Sequence, residues 1–235
     1  MAPLGEKLAR TCLYTAGILT DTSQVDRVYA SIKAGIIDGR YPPGAPLSEP
    51  ALASAHGMSR TPVREGMSRL WQEGYLDRVQ GRGYFVGRVT VQSINDTFDV
   101  RRLLEGAAAA RAAELATPGE VSLLRELAEL PTRDYREGEV ANARFHLAIA
   151  EAARNTLATE LIERCLAQID RFLSPGASSS QFQTGASQAH LRIAGAIARR
   201  DPAAARALME DHLDCGSSRM KAALLRGEIA GVGVR

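Results

Sequence analysis

Residues 59–86 read SRTPVREGMSRLWQEGYLDRVQGRGYFV. Ser59 or Thr61 opens a helix, Arg60 to Glu73 carry it, and Gly74 closes it. Tyr75-Leu76-Asp77-Arg78-Val79 and Tyr84-Phe85-Val86 then flank Gln80-Gly81-Arg82-Gly83, which reads as a β-hairpin around a glycine turn. On a wheel of about 100° per residue, Val63, Met67 and Leu70 form a core face. Arg60, Thr61, Arg64 and Ser68 share a neighbouring arc about 100° wide. A helix in a DNA major groove needs this division: apolar residues anchor it, and arginine forks near its N-terminus reach guanine edges and phosphates. Ser59 and Thr61 can donate to phosphates at the helix start, and Arg82, beside Gly81 at the hairpin tip, can enter a minor groove or bridge phosphates. The competing reading is a solvated face, with Arg69 and Glu65 paired locally; the hairpin directly after the helix favours DNA.

Upstream, Val25 to Arg40 reads as a helix with Val28, Ile32, Ile36 and Ile37 on one stripe, stopped by Gly39-Arg40-Tyr41-Pro42-Pro43-Gly44. Ser48 caps a short helix through Leu52 to His56, Pro50 sits in its first turn, and Gly57 ends it. Helix, helix, turn, helix, hairpin is the outline of a winged helix-turn-helix. The segment 59–65, preceded by Pro43-Gly44-Ala45-Pro46-Leu47-Ser48-Glu49 and followed by Gly74-Tyr75-Leu76 and Gly81-Arg82-Gly83, resembles the winged-helix domain of GntR-family bacterial transcriptional regulators over about residues 25–87. The resemblance implies DNA contacts at the Arg60 and Arg64 positions and a wing in the minor groove. One departure is Pro50, where the family often has an arginine; it removes one charge from the expected contact set.

Downstream the grammar changes. Val91 to Ala116 is a long alanine-rich helical segment, and Thr117-Pro118-Gly119-Glu120 is a capping box opening a helix to Leu130. Further helices are expected at about 136–153, 156–173, 187–200 and 202–226, with a polar loop from Ser174 to Ser187. The fold class is therefore mainly α: an N-terminal winged helix-turn-helix at 21–88 and a C-terminal antiparallel bundle of six or seven helices at 91–226. Residues 1–20 read as an N-terminal extension and 227–235 as a glycine-containing tail.

Composition bounds the class. The chain has 235 residues, 45% hydrophobic and 24% charged, with a net charge of +2. That excludes a disordered chain, a collagen and a disulfide-stapled miniprotein. No apolar run approaches the ~20 residues of a membrane helix, and no secretory signal is read. Three scattered cysteines (Cys12, Cys165, Cys215) suit reduced thiols in a cytoplasmic protein. Residues 20–90 carry nine Lys/Arg against seven Asp/Glu, a mild tilt that alone does not identify a nucleic-acid binder.

Of four histidines, His56 reads as a helix-end residue without special role. The other three sit on inward arcs of three bundle helices: His146 with Ile149 and Ala150, His190 with Ile193 and Ile197, and His212 between Leu208 and Met209. Buried imidazoles need partners, since an unpaired buried polar group costs about 1–3 kcal/mol. A divalent cation (zinc, nickel or manganese) would satisfy all three, with Asn142, one turn before His146, as a fourth ligand. Separate hydrogen bonds within the core are the alternative.

Asp99-Val100-Arg101-Arg102-Leu103-Leu104-Glu105, then Asn142-Ala143-Arg144-Phe145-His146 with Asn155, His190 and His212, is similar to the FCD effector domain of FadR-type GntR regulators over about residues 91–226. Many such domains bind metal through an Asp-x-x-x-His pair and two later histidines. His146, His190 and His212 match, and Asn142 stands at the Asp position, leaving the site one charge more positive. The resemblance further implies a small organic acid as effector, held by the metal at one end and by a cation, Arg101, at the other. The alternative for Arg101 is a surface salt bridge with Glu105, four residues on. The expected function is a DNA-binding transcriptional regulator, a repressor acting as a homodimer on double-stranded operator DNA and not at a membrane. The alternatives are a metal-dependent enzyme using the three histidines, against which no HExxH occurs, and a module whose winged helix binds protein.

Overall fold

The computed structural model describes residues 23–130, 135–172 and 186–226. The N-terminal extension, nearly all of the 174–187 loop and the tail lie outside the described residues. The described chain forms two compact units that divide between Val89 and Thr90.

In the first unit, helix α1 spans Gln24–Ile37, α2 Glu49–His56 and α3 Arg60–Gln72. Ser23 caps α1 by accepting from Asp26 N, and Ser48 caps α2 by accepting from Ala51 N. Gly57 and Gly74 stand at positive φ (60° and 79°), where L side chains are strained, so the chain leaves each helix at a glycine as the sequence suggested. α1 stops three residues before the expected Arg40: Asp38 is the C-cap and Gly39 turns the chain at φ 77°. The hairpin is β2 (Leu76–Val79) and β3 (Gly83–Val86), antiparallel with Leu76 opposite Val86. A third strand, β1 (Pro46–Leu47), pairs with the other edge of β3, giving the order β1-β3-β2. Two residues leave no visible alternation, and Pro46 argues against a strand except at an edge, which is where it lies.

One core joins these elements: Val28, Ile32, Leu52, Val63, Met67, Leu70, Tyr75, Leu76 and Val86 are all buried. Gly66 sets the contact between α1 and α3, since a Cβ there would meet Val28 Cγ1 at 2.7 Å. The α3 core face thus turns inward while its polar arc stays outside.

The second unit is a bundle of six helices among the described residues: α4 (Val91–Leu115), α5 (Pro118–Glu129), α6 (Tyr135–Ala152), α7 (Thr156–Phe172), α8 (Ala186–Ala198) and α9 (Pro202–Leu225). Their starts are locally encoded. Thr117 and Glu120 form the expected capping box, Thr90 and Ser93 form another, and Asp201 accepts from Ala204 N. Asn155 caps α7 by accepting from Ala158 N at 3.1 Å. The inward stripe of α4 runs Ile94, Phe98, Arg101, Glu105, Ala108, Ala109, Ala112. Its small residues let neighbours approach closely: α4 packs along α9, and also against α6 and α8. None of the described helices is long and apolar enough to cross a membrane.

Candidate functional site

Two arrangements, one in each unit, carry chemistry. In the first unit, Ser59, Arg60 and Thr61 are exposed at the start of α3. Ser59 occupies the cap position without making a side-chain cap bond, so its hydroxyl is not committed to the helix. Arg64 is exposed, and Ser68, one turn on, is half-buried. Gly81 (φ 75°) and Arg82 are exposed at the hairpin tip.

Two residues that the sequence reading left aside enter this face. Glu49, at the start of α2, accepts from Arg64 Nε at 3.1 Å and from Arg64 Nη2 at 3.0 Å. The pair fixes the plane of the guanidinium and leaves Nη1 outside it. Arg78, on β2, lies 5.9 Å from the ring centres of both Trp71 and Tyr84. Glu49, Arg64, Trp71, Arg78, Gly81 and Tyr84 line a groove of about 490 Å³. Contacts between residues far apart in sequence build it, so helix periodicity could not reveal it.

In the second unit, His146 (α6), His190 (α8) and His212 (α9) are all buried, as their inward arcs implied. Their rings converge through Nε2. His212 Nε2 lies 3.2 Å from His146 Nε2 and 3.3 Å from His190 Nε2. Each Nε2 is either a donor or a lone pair, so the protein alone can join the three only by sharing one His212 nitrogen between both neighbours, as a forked donor or a forked acceptor. Donors held about 2.0–2.1 Å from one cation at near-tetrahedral angles stand roughly 3.3 Å apart, which matches the two separations from His212, and all three donors lie within 4.8 Å of one another. The cluster therefore fits a metal ion by both spacing and donor type. Asn142 is half-buried one turn before His146 on α6.

The surroundings of the cluster include a carboxylate. Glu105, 1% exposed, places Oε2 2.5 Å from His146 Nδ1. Its Oε1 accepts from Arg101 Nε at 2.6 Å, and Oε2 lies 3.4 Å from Arg101 Nη2. The Arg101–Glu105 pair thus exists, but it is buried with both partners on the inward stripe of α4, not on the surface. An i,i+4 pair has the same spacing on either face of a helix. The signal that could have found Glu105 was its place in the 94, 98, 101, 105, 108, 112 stripe.

Burial pushes the Glu105 carboxyl up, but the Arg101 charge and the His146 contact outweigh it and bring it down to about 2. Burial pushes all three histidines down, His190 to about 2, with the neighbouring His146 and Arg101 adding to the effect there.

These directions give a prediction. A folded pKa below the unfolded value means that the unfolded chain binds more protons between the two. For His190 that window runs from about 6.5 down to about 2, and stability is lost as pH falls through it. In chelator, the unfolding free energy read from urea titrations should fall steadily from pH 7 to pH 5, by about 2 kcal/mol from His190 alone. An unfolding free energy that is flat or rises over that range contradicts neutral burial.

The first unit is a winged helix-turn-helix, the architecture of a DNA-binding module, and the second is a helical domain with a buried three-histidine cluster. The family model described as bacterial regulatory proteins, gntR family, matches residues 24–86, and that of the FCD domain matches residues 96–214. The chain belongs to the GntR family of DNA-binding transcriptional regulators, with an FCD domain. It is 26% identical over 201 residues to the HTH-type transcriptional repressor RspR of Escherichia coli, covering 83% of this chain and 88% of that one. An HTH-type regulator of Agrobacterium vitis, from the TAR-I ttuE-ttuC' intergenic region, is 32% identical over 143 residues, covering 57% of this chain and 84% of its own. Among solved structures, a GntR regulator from Rhodococcus sp. RHA1 superposes with a TM-score of 0.69 at 25% identity, over 86% of this chain and 99% of that one.

Proposed function

We propose that the protein is a cytoplasmic one-component repressor that binds a palindromic operator as a homodimer and releases it when a small organic acid enters the bundle. The observation that carries the sensing half is the convergence of the buried His146, His190 and His212 through Nε2. The three imidazoles, with the Asn142 amide as a fourth donor, would hold a divalent metal: zinc, nickel or manganese. Bound there, the ion supplies a Lewis-acidic positive charge that attracts a carboxylate. Its donors are all neutral and the Arg101–Glu105 pair cancels its own charge, so nothing in this set opposes an incoming anion. Arg101 is the cation proposed for the far end of the acid; its Nη1 lies outside the pair with Glu105 and is the part of the fork that would serve.

Ser59, Arg60, Thr61, Arg64 and Ser68 are proposed to read and position the major groove, with Glu49 buttressing Arg64. Gly81 and Arg82 are proposed to follow the adjacent minor groove. In a dimer the two α3 helices would address half-sites about 34–36 Å apart on one DNA face. An acid that binds one arrangement of the bundle more tightly than another would change that spacing.

The test combines metal analysis of the purified protein, a thermal-shift screen of hydroxy acids, sugar acids and dicarboxylates, and a gel shift on the DNA beside its own gene. An acid that raises the melting temperature of the metal-loaded protein should also weaken DNA retention at least several-fold, and Arg101→Ala should blunt both effects. DNA retention insensitive to every stabilising acid would refute the effector reading.

A further inference from the structure

We propose that Glu105 is the positioning residue of the histidine cluster: from α4 it takes the Nδ1 proton of His146 as a hydrogen bond and so holds the His146 Nε2 lone pair toward His190 and His212. The inference rests on the metal-binding reading above and extends it to a residue outside the donor set.

The geometry carries it. Glu105 Oε2 lies 2.5 Å from His146 Nδ1, and both side chains are excluded from water. Arg101 donates to the same carboxyl group through Nε at 2.6 Å, which favours its ionised, acceptor-only form. A carboxylate can only accept, so the proton between Glu105 and His146 sits on Nδ1. A neutral imidazole carries one proton, so Nε2 of His146 is left with a lone pair. That lone pair faces His212 Nε2 at 3.2 Å, in the space where the three rings meet. The opposite tautomer would put an N–H into that space and a lone pair against the carboxylate, an arrangement repulsive at both ends.

The chain of groups, Arg101 to Glu105 to His146, therefore fixes tautomer and ring orientation together, as outer carboxylates do for metal-bound histidines. It matters more here because Asn142 contributes no charge: Glu105 is the carboxylate in contact with a cluster histidine among the described residues. It raises the basicity of His146 from behind, without taking a coordination position. That leaves room on the ion for an anionic ligand.

The experiment uses the full-length protein and zinc alone as the probe. First, the metal-free wild type labelled with nitrogen-15 in its histidine rings is examined by NMR at neutral pH, with His146 assigned by its loss in His146→Gln. The expected result is the Nδ1–H tautomer at His146; finding the Nε2–H form overturns the proposal whatever any variant does. Second, zinc affinity of wild type and Glu105→Gln is measured by competition with a chelating indicator, with circular dichroism and DNA retention of the metal-free proteins as fold controls. Glu105→Gln should bind zinc about 10–100-fold more weakly and lose the clean Nδ1–H signature at His146, with the fold unchanged. Equal zinc affinity in the two proteins overturns the positioning role while leaving the metal site standing. Failure of the wild type to bind zinc overturns the metal reading and this proposal with it, even if the tautomer is as expected.

Discussion

Replacing Arg60 and Arg64 together by alanine is expected to abolish sequence-specific retention of operator DNA while leaving the fold intact. Both side chains are exposed on α3, on the arc beside the Val63, Met67 and Leu70 face that anchors the helix. A good bidentate arginine–guanine contact discriminates by about 1–3 kcal/mol, so the pair should contribute roughly 2–6 kcal/mol, or about 30-fold to 10⁴-fold in specific affinity. The loss has a second source. Arg64 now neutralises Glu49 through two of its nitrogens, and without it a carboxylate would face the phosphates uncompensated. Exposed substitutions of this kind change stability little, and the Glu49–Arg64 pair is an exposed ion pair that solvent screens. Fluorescence anisotropy with labelled DNA beside the protein's own gene, at two salt concentrations, separates the terms. Specific affinity should collapse, and the salt slope should fall by no more than about the two charges removed. Undiminished footprinting by the double variant would refute the assignment of this face.

The second large effect concerns the bundle. Saturating zinc should raise the melting temperature of the wild type, because a ligand that binds only the folded state stabilises by about 2.7 kcal/mol at a hundredfold excess over its dissociation constant. For a unit of this size that corresponds to roughly 5–10 °C. His212→Ala should remove the shift entirely, since His212 is the ring whose Nε2 is close to both others. Asn142→Asp should act in the opposite direction: a carboxylate in place of the amide adds a negative charge beside the ion and should tighten zinc binding by at least tenfold. It should also weaken the response to organic acids, because the ion would then carry less unbalanced charge. Isothermal titration with zinc, followed by acid titration into the loaded proteins, reads both changes. A shift that survives in His212→Ala, or an Asn142→Asp protein with unchanged affinity, would count against a shared ion at this cluster.

The two halves differed in how openly they announced themselves. Helix α3 was legible because one short segment holds its cap, its apolar stripe and its cationic arc, and a hairpin with positive-φ glycines follows at once. Strand β1 was not legible: Pro46 and Leu47 are a strand only because β3 lies alongside. In the bundle, the three histidines declared inward positions through their apolar neighbours on each helix. Glu105 did not, because its spacing from Arg101 fits a solvent-facing pair as well as a buried one.

Element boundaries, caps, the exposed face of α3 and the inward arcs of His146, His190 and His212 follow from local order along the chain, since helix starts, glycine exits and amphipathic stripes depend on residues within a few positions of one another. The meeting of three imidazoles from α6, α8 and α9, the buried Arg101–Glu105–His146 chain and the buttressing of Arg64 by Glu49 were decided by tertiary structure alone. Each joins groups on separate helices, or depends on which neighbour covers a helix face, and only packing determines that.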